Sequence, residues 1–315
     1  MFDLMFTYKL NTLQIRINNR IRNFIMAIFE RTFKNEVIAQ GVGIHSGAKA
    51  TIILKPAAAG TGLIFKRTDI TDKDNVIPAD YLHIGDTRLC SCFANKDGVS
   101  ASTAEHLMAA LNAFGITNAY IELSGPEIPI MDGSAKDFIE LFEKAGIQDL
   151  DKPQKALKIK KEVTFTDDKG ICVSLKPAEK GFTIDFEIDF AAKAIGHQSF
   201  VFTLSLDAFK EQICYARTFG QMQEVQMLHA MGLGRGGSLE NTVIVDNDKI
   251  LNPNGLRDPL EFVRHKILDT VGDLFQAGMP IIGYFKGAKS GHYHNNMLLR
   301  EVFKNPENYE IIELK

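Results

Sequence analysis

Residues 256–275 read Leu-Arg-Asp-Pro-Leu-Glu-Phe-Val-Arg-His-Lys-Ile-Leu-Asp-Thr-Val-Gly-Asp-Leu-Phe. Asp258 is a natural N-cap, Pro259 suits the first helical position and Glu261 completes a capping box, so a helix is predicted from here. Gly278 and Pro280 end it. Leu260, Val263, Ile267, Val271 and Leu274 make one apolar stripe that should face a core, while His265, Asp269 and Asp273 fall at i, i+4 and i+8 on nearly the opposite side. An i, i+4 His–Asp pair can offer two ligand atoms to one divalent metal, because such side chains are neighbours on the helix surface. The commoner explanation is a solvated face with an ordinary helix ion pair. Phe262 weighs against that, since it projects into the same sector and a wholly wet face rarely carries it.

Three other segments carry candidate chemistry. Ser102-Thr-Ala-Glu-His enters a helix predicted to run to Phe114, with Leu107, Ala110, Leu111 and Phe114 on one face. Ser102 and Glu105 match a capping box, which would make Glu105 structural. His106 alone is more often a satisfied, partly buried histidine than a ligand. Adjacent Glu105 and His106 do suit a metal hydrolase, one group binding metal and its neighbour handling the proton of a water, but by spacing this is weaker than H-E-x-x-H. Lys289-Ser-Gly-His-Tyr-His follows a predicted strand at 281–285; its histidines read as a second metal site, a general acid or surface residues, and surface is the default for a loop. The Gly-rich stretch 232–241 lacks the G-K-[ST] ending of a phosphate-binding loop and does not fit G-x-G-x-x-G. Just before it, Met222, Val225, Met227, Leu228 and Met231 suit either a groove for a long acyl chain or a small core helix.

Outside these segments the chain alternates between strands and helices without a regular β-α-β rhythm. Strands are expected at 33–54 around a Gly-rich turn, from Leu63, over Asp86–Phe93, and at 119–123. A second helix is expected over 134–145, and further strands at 157–165, 171–175 and 182–190, followed by two helices and more strands. The polar run 151–156 around Pro153 is the best linker candidate. The expected fold class is α+β in two domains, 26–152 and 157–315, and no internal repeat is visible by direct comparison. Residues 1–25 lack a clean apolar segment after a basic start; they read as an upstream-start artefact or a loose amphipathic extension. No second enzyme is expected beyond Lys315.

Composition narrows the function classes. A formal net charge of −3 gives no basic excess of the kind nucleic-acid binding needs. No run of about 18 apolar residues exists, so no membrane-spanning helix is expected. Four cysteines, none in a C-x-x-C pair, read as free thiols of a reducing cytoplasm.

Several short motifs occur in a fixed order: G-V-G-I-H-S-G at 41–47, D-T-R-L-C at 86–90, S-T-A-E-H-L at 102–107, M-D-G-S-A at 131–135, A-R-T-F at 216–219, G-G-S-L-E-N at 236–241, R-H-K-I-L-D-x-x-G-D at 264–273 and K-S-G-H at 289–292. As an ordered series from about Thr32 to the C-terminus, they closely resemble the UDP-3-O-acyl-N-acetylglucosamine deacetylases of Gram-negative bacteria. The resemblance implies a zinc-dependent hydrolase of lipid A biosynthesis. Its reaction would remove the acetyl group of UDP-3-O-(3-hydroxyacyl)-N-acetylglucosamine as acetate and leave the free amine, the committed step. His106, His265 and Asp269 would bind one Zn²⁺ with one position left for water. Glu105 would be the general base, and His292 would stabilise the oxyanion and protonate the leaving amine. Asp273 would hold the His292 tautomer and Thr218 would donate to the oxyanion. Phe219, Lys266, Lys289, Leu89 and Cys90 would contact the substrate. The implied fold is two domains of similar topology, each a β-sheet packed on two α-helices. The site would lie between them, with one insertion per domain, the second, near 220–245, forming the acyl passage. A cytoplasmic monomer without stable membrane insertion is expected. Two features depart from the family pattern: Gln221 stands where many relatives carry an apolar residue, and His294 adds a histidine beside His292.

Overall fold

The computed structural model describes residues 27–315, so the expectation for residues 1–25 lies outside the described residues. Alternation drives the strands: over Lys49–Pro56, Ala50, Ile52 and Leu54 are buried and the intervening residues are not. The first half runs β1 (Phe29–Phe33), β2 (Val37–Val42), β3 (Lys49–Pro56), β4 (Leu63–Arg67) and β5 (Val76–Pro78). A small three-stranded sheet follows, of β6 (Ile84–Asp86), β7 (Cys92–Ala94) and β8 (Ser100–Ala101). Helix α1 (Glu105–Phe114), β9 (Ala119–Leu123) and α2 (Lys136–Ala145) complete it. Its main sheet has the order β2-β3-β9-β4-β5, with β9 parallel to β4 and antiparallel to β3.

The second half lays down the same pattern. After β10 (Ile147–Pro153) and β11 (Lys155–Ile159) come β12 (Val163–Thr166), β13 (Cys172–Lys176), β14 (Phe182–Asp189) and β15 (His197–Thr203). An insertion carries α3 (Leu206–Gln212), β16 (Phe219–Gln221), α4 (Met222–Ala230), β17 (Val243–Asp246) and β18 (Lys249–Ile250). Helix α5 (Glu261–Leu274), β19 (Ile281–Ala288), α6 (His292–Lys304) and β20 (Tyr309–Glu313) follow. The sheet path β12-β13-β19-β14-β15 repeats that of the first half strand for strand, again with one parallel pair, β14 with β19. The α+β expectation with one insertion per half holds. The repeat lies in topology and buried pattern, which residue-by-residue comparison does not reveal.

Three local expectations are corrected. The run 151–156 is no loose linker: β10 pairs antiparallel with β1, and buried Gln154 accepts a hydrogen bond from Thr117 Oγ1 at 2.9 Å. Asp86–Phe93 is not one strand. The Asp86 carboxylate accepts from the Arg88 N–H at 3.0 Å and closes a turn between β6 and β7. Neither capping box forms, because α1 starts at Glu105 and α5 at Glu261, and both carboxylates point into the interior.

The crossing of α1 and α5 places the site. Glycine is required at 272, since a Cβ there would lie 2.0 Å from the Glu105 carbonyl oxygen. Helix α5 also packs on β14 and β15, so its apolar stripe and its His–Asp stripe are both buried. The solvated-face reading fails for that reason.

Candidate metal centre and cavity

Three donors converge where the helices cross. Nε2 of His265 lies 3.4 Å and Nε2 of His106 lies 3.6 Å from Oδ1 of Asp269, all three residues being buried. One ligand atom from each lies within 4.8 Å of the others. The other atoms of two of these groups are already engaged. His265 Nδ1 meets the Ala216 carbonyl at 3.1 Å, and Asp269 Oδ2 accepts from Lys266 Nζ at 2.6 Å. Burial pushes His265 down to about 3, against the pull of Asp269, so its ring is neutral and donates Nδ1–H outward. Burial disfavours the Asp269 charge, but His265 and Lys266 hold this carboxyl well below the usual range. Asp269 Oδ1 is thus a buried anionic oxygen without a hydrogen-bond partner among the described residues. Such an oxygen is costly unless a cation faces it, and with two imidazoles it is a donor set that fits a divalent metal.

The carbonyl that orients His265 is itself held by an ion pair. Glu261, fully buried, accepts from Arg217 Nε at 2.8 Å and from the Arg217 backbone N–H at 3.1 Å. Its expected capping role is therefore replaced by fixing the 216–218 segment. Thr218 is placed by backbone bonds to Gly133 and Val243, each 2.8 Å.

Beside the donors sit two further titratable side chains, Glu105 and His292. Glu105 is raised by burial, with His292 and His106 pulling the other way, and its Oε2 accepts from the Ser91 N–H at 2.9 Å. His292 Nδ1 lies 2.9 Å from Asp273 Oδ2. Burial would lower His292, but Asp273 and then Glu105 and Asp269 outweigh it and raise it to about 9. His294 stays out of this cluster, its Nε2 meeting Asp167 at 3.1 Å and its Nδ1 accepting from the Gly291 N–H at 3.3 Å.

A cavity of about 880 Å³ opens over these groups. Its wall includes Glu105, His106, Thr218, Phe219, His265, Lys266, Asp269, Lys289 and His292, so it unites most of the residues expected from sequence. A family model described as UDP-3-O-acyl N-acetylglycosamine deacetylase matches residues 30–304 of the chain. The chain belongs to this family. It is similar to the UDP-3-O-acyl-N-acetylglucosamine deacetylase of Phenylobacterium zucineum, 44% identical over 90% of this chain and 96% of the relative. It is also similar to those of Pasteurella multocida, 47% identical over 90% and 93%, and of Photobacterium profundum, 48% identical over 90% and 93%.

Of the family positions carried over from sequence, Asp273 stands behind His292 rather than on the cavity wall, and Cys90 does not reach the wall either. Leu89 lines the cavity and is exposed, but the Cys90 side chain is turned into the protein, where burial and the nearby Glu105 push its thiol well up. Lys266 is spent first on Asp269, and Lys289 is paired with Asp189 at 2.7 Å. In the insertion, Val225, Met227 and Leu228 line the cavity, whereas Met222 and Met231 do not. Gln221 is not on the wall. Its backbone N–H and its amide bond the Glu224 carboxylate at 3.3 and 3.1 Å, which secures the start of α4.

Sequence reasoning missed several contributors. The Ala216 carbonyl gives no residue-type signal. His45 lines the cavity on a loop fixed by buried Glu127, which accepts from the His45 and Ser46 N–H groups at 2.8 and 2.9 Å. G-V-G-I-H-S-G marked that loop without assigning it a role.

Proposed function

We propose that this chain hydrolyses the acetamide of UDP-3-O-(3-hydroxyacyl)-N-acetylglucosamine to acetate and the free amine, in the committed step of lipid A biosynthesis, as a cytoplasmic monomer. The observation that carries this reading is the buried Asp269 Oδ1, without a hydrogen-bond partner among the described residues, grouped with two imidazoles beside a carboxylate and a third, carboxylate-backed histidine. His106, His265 and Asp269 would hold one Zn²⁺, which when bound polarises the acetamide carbonyl and lowers the pKa of a coordinated water to about 7.

The remaining steps belong to the protein's own side chains. Glu105, less acidic than an exposed carboxyl, takes the proton of the attacking water at Oε1, since Oε2 is occupied by the Ser91 N–H. Thr218 stabilises the developing oxyanion. His292, kept protonated by Asp273, shares that charge and then delivers its Nε2 proton to the departing amine. Phe219, packed edge-on to Phe262 and Phe190, contacts the substrate, while Lys266 and Lys289 on the same cavity wall lie near its nucleotide and sugar. Leu89, Val225, Met227 and Leu228 form the apolar path for the acyl chain.

The test is acetate release from this UDP-sugar, read together with metal content. The expected result is acetate and amine in equal amounts from protein carrying one zinc per chain, abolished by chelation and restored by zinc. Metal-loaded protein that releases no acetate would remove the reading.

A pH profile checks the acid. His292 works while protonated, so kcat should fall as pH rises through its pKa. Asp273→Asn removes the principal group raising that pKa, so the basic limb should move to lower pH. The kcat plateau should drop by about 10- to 100-fold. An unmoved basic limb would count against His292 as the acid.

A further inference from the structure

We infer that Ser91, in the turn between β6 and β7, is a positioning residue that locks Asp273, and through it His292, in register with Glu105. The inference rests on the function proposed above. Its basis is one buried residue that touches both halves of the proton-transfer apparatus. The Ser91 backbone N–H donates to Glu105 Oε2 at 2.9 Å, and its hydroxyl donates to Asp273 Oδ1 at 2.6 Å. Ser91 is 1% exposed and Asp273 0%, so water does not compete for either bond.

The direction of the hydroxyl proton has a single solution. Gln276 Nε2 donates to Ser91 Oγ at 3.1 Å, and an amide NH₂ can only donate. Asp273 Oδ1 is the acceptor in the remaining contact, so the proton stays on Ser91 Oγ and points at Asp273. Gln276 cannot readily turn over, since its Oε1 accepts from Asn296 Nδ2 at 3.2 Å. The amide flip that would reverse the chain is thereby excluded.

The two oxygens of Asp273 divide their work. Oδ2 takes His292 Nδ1–H at 2.9 Å and Asn295 Nδ2 at 2.8 Å, both from the second half of the chain. Oδ1 takes Ser91, from the first half. Without the serine hydroxyl, Oδ1 loses that buried donor and the carboxylate is held through Oδ2 alone. The imidazole it aims is then held less firmly in direction. Glu105 is undisturbed by the same change, because its contact is with the Ser91 main chain. The geometry therefore assigns the Ser91 side chain to His292 and its backbone to Glu105, with one residue setting the spacing of base and acid.

Three proteins test this, each metal-loaded and full-length: wild type, Ser91→Ala and Ser91→Thr. For Ser91→Ala we expect kcat lower by about 10- to 100-fold, the magnitude typical of lost outer-sphere partners, with KM and metal content near wild type. Ser91→Thr keeps the hydroxyl and should recover most of kcat. The substrate-independent readout is the His292 Nδ1–H resonance in histidine-labelled protein, assigned by its loss in His292→Ala. It should shift or broaden in Ser91→Ala and return in Ser91→Thr. A wild-type kcat or an unchanged resonance in Ser91→Ala overturns the inference, and so does a loss that follows metal release or that threonine does not restore. Were wild type to release no acetate, the proposed function would fail, while the resonance would still decide the role of Ser91.

Discussion

Glu105→Ala is expected to retain its metal and its fold while kcat falls by about 10²- to 10⁴-fold, the range general-base catalysis contributes. The carboxylate is fully buried and within the electrostatic reach of His292 and His106, yet it is not one of the three converging donors. Its loss would therefore remove the proposed proton acceptor while leaving the three converging donors in place. Glu105→Gln keeps the shape and can still accept from Ser91 through its amide oxygen, but it cannot take a proton. It should be as inactive as the alanine variant. Comparing zinc content with single-turnover acetate release for both variants checks this, and near-normal turnover in either would take Glu105 out of the role.

His265→Ala and Asp269→Ala should show the other large effect, loss of the metal itself. Replacing a residue that only orients a ligand costs about 10- to 100-fold in metal affinity, so deleting a ligand should cost at least about 100-fold. Asp269→Ala has a second consequence. It leaves the partly buried Lys266 ammonium, now paired at 2.6 Å, without its carboxylate, so this variant should also melt earlier than His265→Ala. Metal analysis after dialysis, with thermal melting of the same samples, separates the two effects. Stoichiometric zinc retained by both variants would disprove the ligand assignment.

Much of this arrangement was legible in the residues, but unevenly. The helix at 261–274 is readable from its period, and of its i, i+4, i+8 stripe the structure brings His265 and Asp269 together with His106 and sets Asp273 behind His292. What the stripe faced was not readable. Burial on two sides depends on α1 crossing at Gly272, a tertiary contact with no trace in the local pattern beyond one glycine. Phe262 was the single local hint, and it is fully buried. The two capping boxes failed for a common reason. S-T-A-E and D-P-L-E satisfy a local rule, but Glu105 and Glu261 each had a stronger interior claim, one beside the donors and one on Arg217.

The positions missed share a different cause. Ala216 acts through its carbonyl and Ser91 through an N–H and a hydroxyl, so neither advertises itself by residue type. Ser91 directly follows the D-T-R-L-C motif, which drew attention to Cys90 instead. In a turn that places Leu89 on the cavity wall, successive side chains diverge, and the next two go to the interior. The duplicated sheet order was hidden because a topology is conserved by alternation and strand length, which many residue choices satisfy equally.

Zinc-edge anomalous diffraction from crystals of active, metal-loaded protein would locate the ion itself. One strong peak per chain is expected, about 2.0–2.2 Å from the ring nitrogens of His106 and His265 and a carboxylate oxygen of Asp269. An active crystal with no peak among those three side chains, or with its zinc held by other residues, would contradict it.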